Sequence, residues 1–119
     1  VSNGLMTEHW EKTKNLRKRF TQEFLPMLQQ STTAEADLEY TAWDILEDER
    51  KVIVEKLPQT GISTEMEALL SSTFIQSPVY GTRCSNFLRL KNNTWLWQEK
   101  SQQGTTQGQI IHFKIPLVE

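Results

Sequence analysis

The chain has 119 residues, which is enough for one domain with a modest hydrophobic core. Its net charge of −2 and pI near 5.7 argue against a nucleic-acid partner, because dedicated nucleic-acid-binding domains carry a basic surplus. No apolar run is long enough to cross a bilayer, and a lone cysteine, Cys84, excludes an internal disulfide. These features suit a reducing compartment, so we predict a cytoplasmic location with no membrane span and no bound cofactor.

The chain begins Val1-Ser2-Asn3 without a methionine, and we expect a fragment or a processed product. A first helix is predicted over about residues 8–30, with Thr7 as its N-cap. Its apolar stripe recurs at helical spacing and comprises Leu16, Phe20, Phe24 and Met27 or Leu28. Pro26 should bend or end this helix, because proline lacks the amide hydrogen and clashes with the preceding turn.

Five basic side chains fall in the first helix, namely Lys12, Lys14, Arg17, Lys18 and Arg19. A patch for phosphate or RNA is conceivable, but no aromatic side chains alternate with these residues. We therefore favour a solvated helix face.

A second helix is predicted over about residues 33–50, opened by a capping box of Thr32 and Glu35. Its buried stripe comprises Leu38, Ala42, Ile45 and Leu46, with Trp43 at the border. The outer face is acidic and carries Asp37, Glu39, Asp44, Glu47, Asp48 and Glu49. A regular helix spreads carboxylates apart, which favours a solvated face over a cation site. A loop at residues 57–61 and a second capping box, Thr64 to Glu67, precede a short helix over about residues 64–72.

The last forty residues alternate like a β-meander, with strands predicted over about residues 84–90, 94–100 and 109–115. Asn92-Asn93 suits a tight hairpin turn, and residues 101–108 suit a polar connection. Helices followed by an antiparallel sheet indicate the α+β class, as one domain over residues 1–119 or as the C-terminal half of a larger one. One face of the sheet is expected under the helices, and the other needs solvent or a partner layer.

Few side chains suggest chemistry by themselves. Cys84 would need a base as a nucleophile, and neither His9 nor His112 is spaced to lie beside it, so we predict a small buried strand residue. No zinc spacing is present, and a single histidine is a weak signal for haem ligation. Arg83 presents its guanidinium to a carboxylate or an oxyanion, or else it binds loop carbonyls, and composition does not decide between these.

Three stretches occur in the order that one known family shows. Ser2-Asn3 is followed by Trp10 and Lys12, and the loop Leu57-Pro58-Gln59-Thr60-Gly61 comes next. The strongest match runs through Leu70-Ser71-Ser72-Thr73-Phe74-Ile75 and then Tyr80-Gly81-Thr82-Arg83-Cys84-Ser85. This pattern resembles the NRDE family, named for an Asn-Arg-Asp-Glu motif and related to the transport-and-Golgi-organisation proteins.

The resemblance implies an N-terminal-nucleophile-hydrolase-like sandwich of helix, sheet, sheet and helix, of which this chain is the C-terminal half. The nucleophilic cysteine of such a fold and the Asn-Arg-Asp-Glu motif belong to the other half. By analogy, Asn3 and Arg83 would assist the oxyanion and the substrate, and Tyr80, Thr82 and Ser85 would contact the substrate.

These features predict the C-terminal portion of an NRDE-family protein, an amide-bond hydrolase when complete and not an enzyme by itself. The alternative is a non-catalytic binding or carrier module, for haem or a protein, linked to secretion and Golgi organisation. The expected partners are the N-terminal half or a second copy of the chain. Trp95 and Trp97, on one strand face, would either form a protein-binding surface or pack in the core.

Overall fold

The computed structural model describes residues 7, 8 and 10–118, which form two compact units that divide after Ile75. The first unit is helical and the second is a three-stranded antiparallel sheet. The predicted α+β class, with helices first and a C-terminal meander, is therefore confirmed.

The helical unit consists of short segments. Its α-helices are α1 (Glu11–Arg19), α2 (Leu25–Gln29), α3 (Glu35–Leu46) and α4 (Thr64–Leu69). A π-helical turn, Phe20–Phe24, connects α1 to α2, and a single 3₁₀ turn, Val54–Lys56, lies between α3 and α4.

Pro26 explains why the first helix is interrupted. It lies at the start of α2, directly after the π-helical turn, where the wider backbone accommodates a residue that has no amide hydrogen. The sequence predicted a bend or an end at this proline, and the structure has a change of helix type there.

The hydrophobic core of the helical unit is built mainly from α3. Its buried apolar side chains are Phe24, Leu38, Ala42, Trp43, Ile45 and Phe74. The predicted stripe of α3 is confirmed at three of its four positions, and Trp43, expected at the border, is buried as well. From the stripe of the first helix only Phe24 is buried, and the Phe20 ring stacks on it at 5.4 Å between centroids.

The predicted caps of the first two helices were wrong. Trp10 and Ala34 occupy the N-cap positions, and neither makes a side-chain capping bond. Thr32, the predicted cap of α3, lies two residues before the observed N-cap, Ala34. The neighbouring Thr33 hydroxyl donates to the carbonyl of Met27 at 2.9 Å, which closes the end of α2 instead of opening α3.

At α4 the cap is Ser63, one residue ahead of the predicted Thr64. The Ser63 hydroxyl accepts a hydrogen bond from the backbone amide of Met66 at 3.2 Å. Glu67, expected to complete a capping box, is buried and accepts from the amide and the hydroxyl of Thr60. This carboxylate therefore attaches the preceding loop to α4.

Arg19 joins the end of α1 to the end of α3. Its side chain is only 15% exposed, and its guanidinium contacts the carboxylates of Glu23 at 2.7 Å, Asp44 at 2.5 Å and Asp48 at 3.2 Å. Asp48 also binds Arg50, and its backbone carbonyl accepts from the amide of Phe74. The solvated acidic face predicted for this helix was thus wrong at Asp48, whose side chain is 9% exposed, while Asp44 is exposed as predicted and also pairs with Arg19.

The sheet has the order β1-β2-β3, with β1 at Cys84–Lys91, β2 at Thr94–Gln103 and β3 at Thr106–Pro116. Asn92 and Asn93 form the first turn with φ of 49° and 55°, as predicted for a tight hairpin. The second turn contains Gly104, with φ of 57°, so most of the predicted connection at 101–108 is paired strand. Polar side chains made this segment resemble a loop, although its backbone is hydrogen-bonded.

We expect Arg19→Gln to destabilise the helical unit by about 1–3 kcal/mol, because it leaves three carboxylates facing one another without their shared cation. This loss of stability is smaller than the loss for a fully buried ion pair, because Glu23 and Asp44 are about half exposed. Urea unfolding followed by helical circular dichroism measures it. Lys14→Gln, which removes an exposed cation from the same helix, should leave the unfolding midpoint nearly unchanged, and an equal loss in both variants would contradict the prediction.

Acid should weaken the same unit through Asp48. The hydrogen bond from the Arg50 side chain, more than any other contact, lowers the pKa of Asp48 from 3.8 to about 2. Because the folded-state pKa is depressed, this contribution is complete above the ordinary carboxylate range and is lost as the pH falls towards 2. Urea unfolding across that window should show a shallower decline in the free energy of unfolding for Asp48→Asn. An identical slope in the parent and the variant would refute this role.

Candidate functional site

The segment from Tyr80 to Ser85 carries most of the residues predicted to contact substrate, and it leads directly into β1. Ser77 shapes its start, because its hydroxyl donates to the Tyr80 carbonyl at 2.5 Å and accepts from the Tyr80 amide at 3.1 Å. The Tyr80 side chain is left exposed, and Thr82 is half-buried.

Arg83 combines a fixed backbone with an exposed side chain. Its carbonyl accepts from the amide of Gln102 at 2.7 Å, which attaches the segment to β2. In residues 7, 8 and 10–118, neither a carboxylate nor a loop carbonyl pairs with its guanidinium. This cation is therefore accessible to an anionic group from outside the described chain.

Cys84 is exposed, so the prediction of a buried strand residue was wrong. Its Sγ lies 3.6 Å from the Asn86 side-chain amide, and the Asn86 carbonyl oxygen accepts from the Trp97 indole at 2.8 Å. The register pairs Cys84 with Ser101, so His112 does not lie beside it. Ser85, the next residue, is buried on the opposite face.

Two sequence-predicted residues lie outside the described part of the chain. These are Asn3, predicted to assist an oxyanion with Arg83, and His9, considered as a haem ligand. Their roles stay predictions.

The second feature is an apolar sheet face, formed where the register aligns side chains from all three strands. Leu88 pairs with Trp97 and Trp97 with Phe113, and the next row follows in the same way. The apolar sheet face comprises Leu88, Leu90, Trp95, Trp97, Ile111, Phe113 and Ile115. Six of the seven side chains are exposed, including Trp95 at 38% and Ile111 at 50%, and Trp97 is half-buried.

The opposite face of the sheet is mixed: besides its buried side chains it carries the half-buried Phe87 and Leu96 and the exposed Ile110. Its buried side chains are polar, namely Ser85, Gln98 and Gln102. The Gln102 side-chain amide donates to the carbonyl of Gly104 at 2.9 Å, so burial does not leave its amide group unpaired. The fully buried side chains of the sheet are thus polar, while a contiguous group of apolar ones is exposed, and exposed apolar patches of this kind mark interaction surfaces.

The sequence identified the members of this face strand by strand but did not join them into one surface. Alternation within each strand was visible, whereas the register between strands depends on the turn residues. Pairing the strands across Asn92-Asn93 would have aligned Leu90 with Trp95. The second hairpin was not predictable in this way, because its turn was placed within a longer connection.

Within the described ranges, no group of three or more histidine, cysteine, aspartate or glutamate side chains is arranged to hold a metal ion. Likewise, none of the helices described there is both long and apolar enough to cross a membrane.

Comparison with known families gives one match. The family model described as Transport and Golgi organisation 2 (TANGO2) matches residues 1–101, a range that includes the Tyr80 to Ser85 segment and nearly all of β2. Among curated proteins, no match to the chain was found. The family match spans well over half of the sequence and agrees with the motifs that resemble NRDE proteins. The chain therefore belongs to the Transport and Golgi organisation 2 family.

Proposed function

We propose that this chain is a protein-binding layer of a TANGO2-family protein, and that its apolar sheet face packs against a second β-sheet. The observation that carries the proposal is the exposure of six aligned apolar side chains on all three strands. Covering them removes apolar area from water, which is the main favourable term in most protein association.

The shape of the surface favours a sheet as its partner. Two pleated sheets pack face to face with interdigitating side chains, and two neighbouring cross-strand rows of branched and aromatic residues suit that arrangement. The helix–sheet–sheet–helix sandwich implied by the NRDE resemblance has such a second sheet. In a longer family protein, the N-terminal half would supply it. For this chain alone, we propose a second copy.

The exposure of Trp95 favours the interface hypothesis over the core hypothesis for the two tryptophans. Trp97 agrees with either hypothesis, because its ring lies 5.1 Å from the Phe113 ring and its indole N–H donates to the side-chain oxygen of Asn86. Tryptophan is enriched at binding hot spots because it buries a large area and offers one hydrogen-bond donor.

Phe113→Lys should weaken self-association roughly tenfold or more, because it places a charge beside Trp97 within the apolar sheet face. The matched control is His112→Lys, which changes the adjacent exposed residue of β3 on the opposite face. Sedimentation equilibrium over a range of concentrations measures the association, and circular dichroism verifies that both variants fold. A parent chain that stays monomeric and also fails to bind the separately expressed N-terminal half would contradict the proposal.

We propose a second function, support of amide-bond hydrolysis, for the family protein that carries the N-terminal nucleophile. The favouring observation is the exposed Arg83 guanidinium, which has no partner in the described chain and follows the exposed Tyr80 by three residues. A planar cation in this position suits a developing oxyanion or a substrate carboxylate. Asn3 stays the second predicted helper, and Tyr80, Thr82 and Ser85 stay the predicted substrate contacts, of which Ser85 is buried.

Arg83→Ala in that longer protein should lower kcat/KM for a linear amide by roughly a hundredfold, the size of effect known for one oxyanion donor. Lys114→Ala, which removes an exposed cation from β3, serves as the control and should retain activity. Hydrolysis is followed by release of the amine product across a panel of linear amides. No activity in the parent protein on any of them, or full activity in Arg83→Ala, would refute this role.

No observation among the described residues favours the haem-carrier alternative. His112 is the one histidine within the described residues, and it lies on the face opposite the apolar side chains that a porphyrin would contact. A role in transport and Golgi organisation follows from the family name as a proposal, and the cytoplasm stays the predicted location.

A further inference from the structure

A basic cleft lies in the helical unit, between α1 and the two segments that contain residues 48–51 and 71–73. Its volume is about 390 Å³. Five cations line it, namely Lys12, Lys18, Arg19, Arg50 and Lys51. The sequence assigned the basic residues of the first helix to a solvated face, and the structure directs three of them into this cleft together with two from a distant segment.

The charges in the basic cleft are not balanced. Glu23 and Asp48 are the carboxylates that line it, and both are paired with Arg19 or Arg50. The three lysines have no carboxylate partner among residues 7, 8 and 10–118. A cationic surplus in a chain whose net charge is −2 is a local concentration of positive charge.

The lining indicates what kind of ligand fits. Besides the charged groups it is polar, with the side chains of Asn15, Gln22 and Thr73, so an apolar ligand is disfavoured. The volume suits a small molecule. Lysine ammonium groups act as compact point charges and are common phosphate ligands, whereas a single carboxylate ligand would offset only one of the three charges.

We propose that the basic cleft binds a small phosphate-bearing anion through the ammonium groups of Lys12, Lys18 and Lys51. The proposal concerns the helical unit alone and does not depend on the apolar sheet face.

Lys12 has a structural contact as well as its place in the cleft. Its ammonium donates to the carbonyl of Leu70 at 3.1 Å and lies 5.7 Å from the centre of the Trp10 ring. Burial lowers the pKa of Lys12, and a bound anion would oppose that shift by stabilising the charged form. Because substitution of Lys12 would also remove its contact with Leu70, Lys18 and Lys51 are the better positions for a test; both are exposed.

The test compares two double variants of the whole chain that remove the same charge. Lys18→Gln with Lys51→Gln removes two cations from the cleft, and Lys14→Gln with Arg17→Gln removes two from α1 outside it. Inorganic tripolyphosphate is titrated into each protein by calorimetry at low ionic strength. We expect the parent to bind, the cleft variant to bind at least tenfold more weakly, and the control to stay within about twofold of the parent.

A second arm distinguishes a free phosphate compound from a lipid headgroup. It measures cosedimentation with phosphatidylcholine vesicles that contain phosphatidic acid. Tripolyphosphate binding that depends on Lys18 and Lys51 indicates a soluble ligand, and vesicle binding alone, with the same dependence, indicates a headgroup. No binding in either arm, or equal weakening by both double variants, would overturn the proposal.

Discussion

The Arg19 guanidinium is the contact on which the arrangement of the helical unit depends. This single cation at the end of α1 contacts Glu23, which follows it by one helical turn, Asp44 near the end of α3 and Asp48 just beyond α3. Without it, the acidic end of α3 would bring carboxylates together beside the core. Because these carboxylates are already paired, the lysines of the basic cleft remain without anionic partners, so the same contact that positions α3 also leaves the cleft its positive charge.

In the sheet, register has the corresponding role. Two turns with left-handed backbone fix which residues face each other, and every second side chain then lies on the same face. In each apolar cross-strand row, the residue from β3 is Phe113 or Ile115, and all residues of β3 are exposed. A shift of one residue would bring His112 and Lys114 to this face, so the apolar character of the surface is a consequence of turn geometry as much as of composition.

Local sequence patterns predicted those features of the fold that depend on neighbouring residues. Alternation located β1 and β2, helical spacing located Leu38, Ala42 and Ile45, and the Asn92-Asn93 turn was identified from its chemistry. Contacts between residues far apart in the sequence were missed. Arg19 lies 25 residues from Asp44 and 29 from Asp48, and no local pattern shows that they meet. The basic cleft was missed for the same reason, because Lys51 and Lys18 come to line one cleft only through tertiary packing. The order of the motifs identified the family, because motifs are recognised in the sequence without knowledge of the tertiary contacts.

The exposed apolar sheet face links association to stability. An isolated three-stranded sheet needs a covered apolar face to be stable by itself, and here the buried side chains on the other face are Ser85, Gln98 and Gln102, which contribute little hydrophobic free energy. A partner that covers Leu90, Trp95 and Ile115 would bind the folded sheet and not the unfolded chain. Such a partner stabilises the fold by mass action, so the strength of binding and the stability of the sheet must rise together. In the proposed assembly, the surface that is a disadvantage in the free chain would thereby become a source of stability.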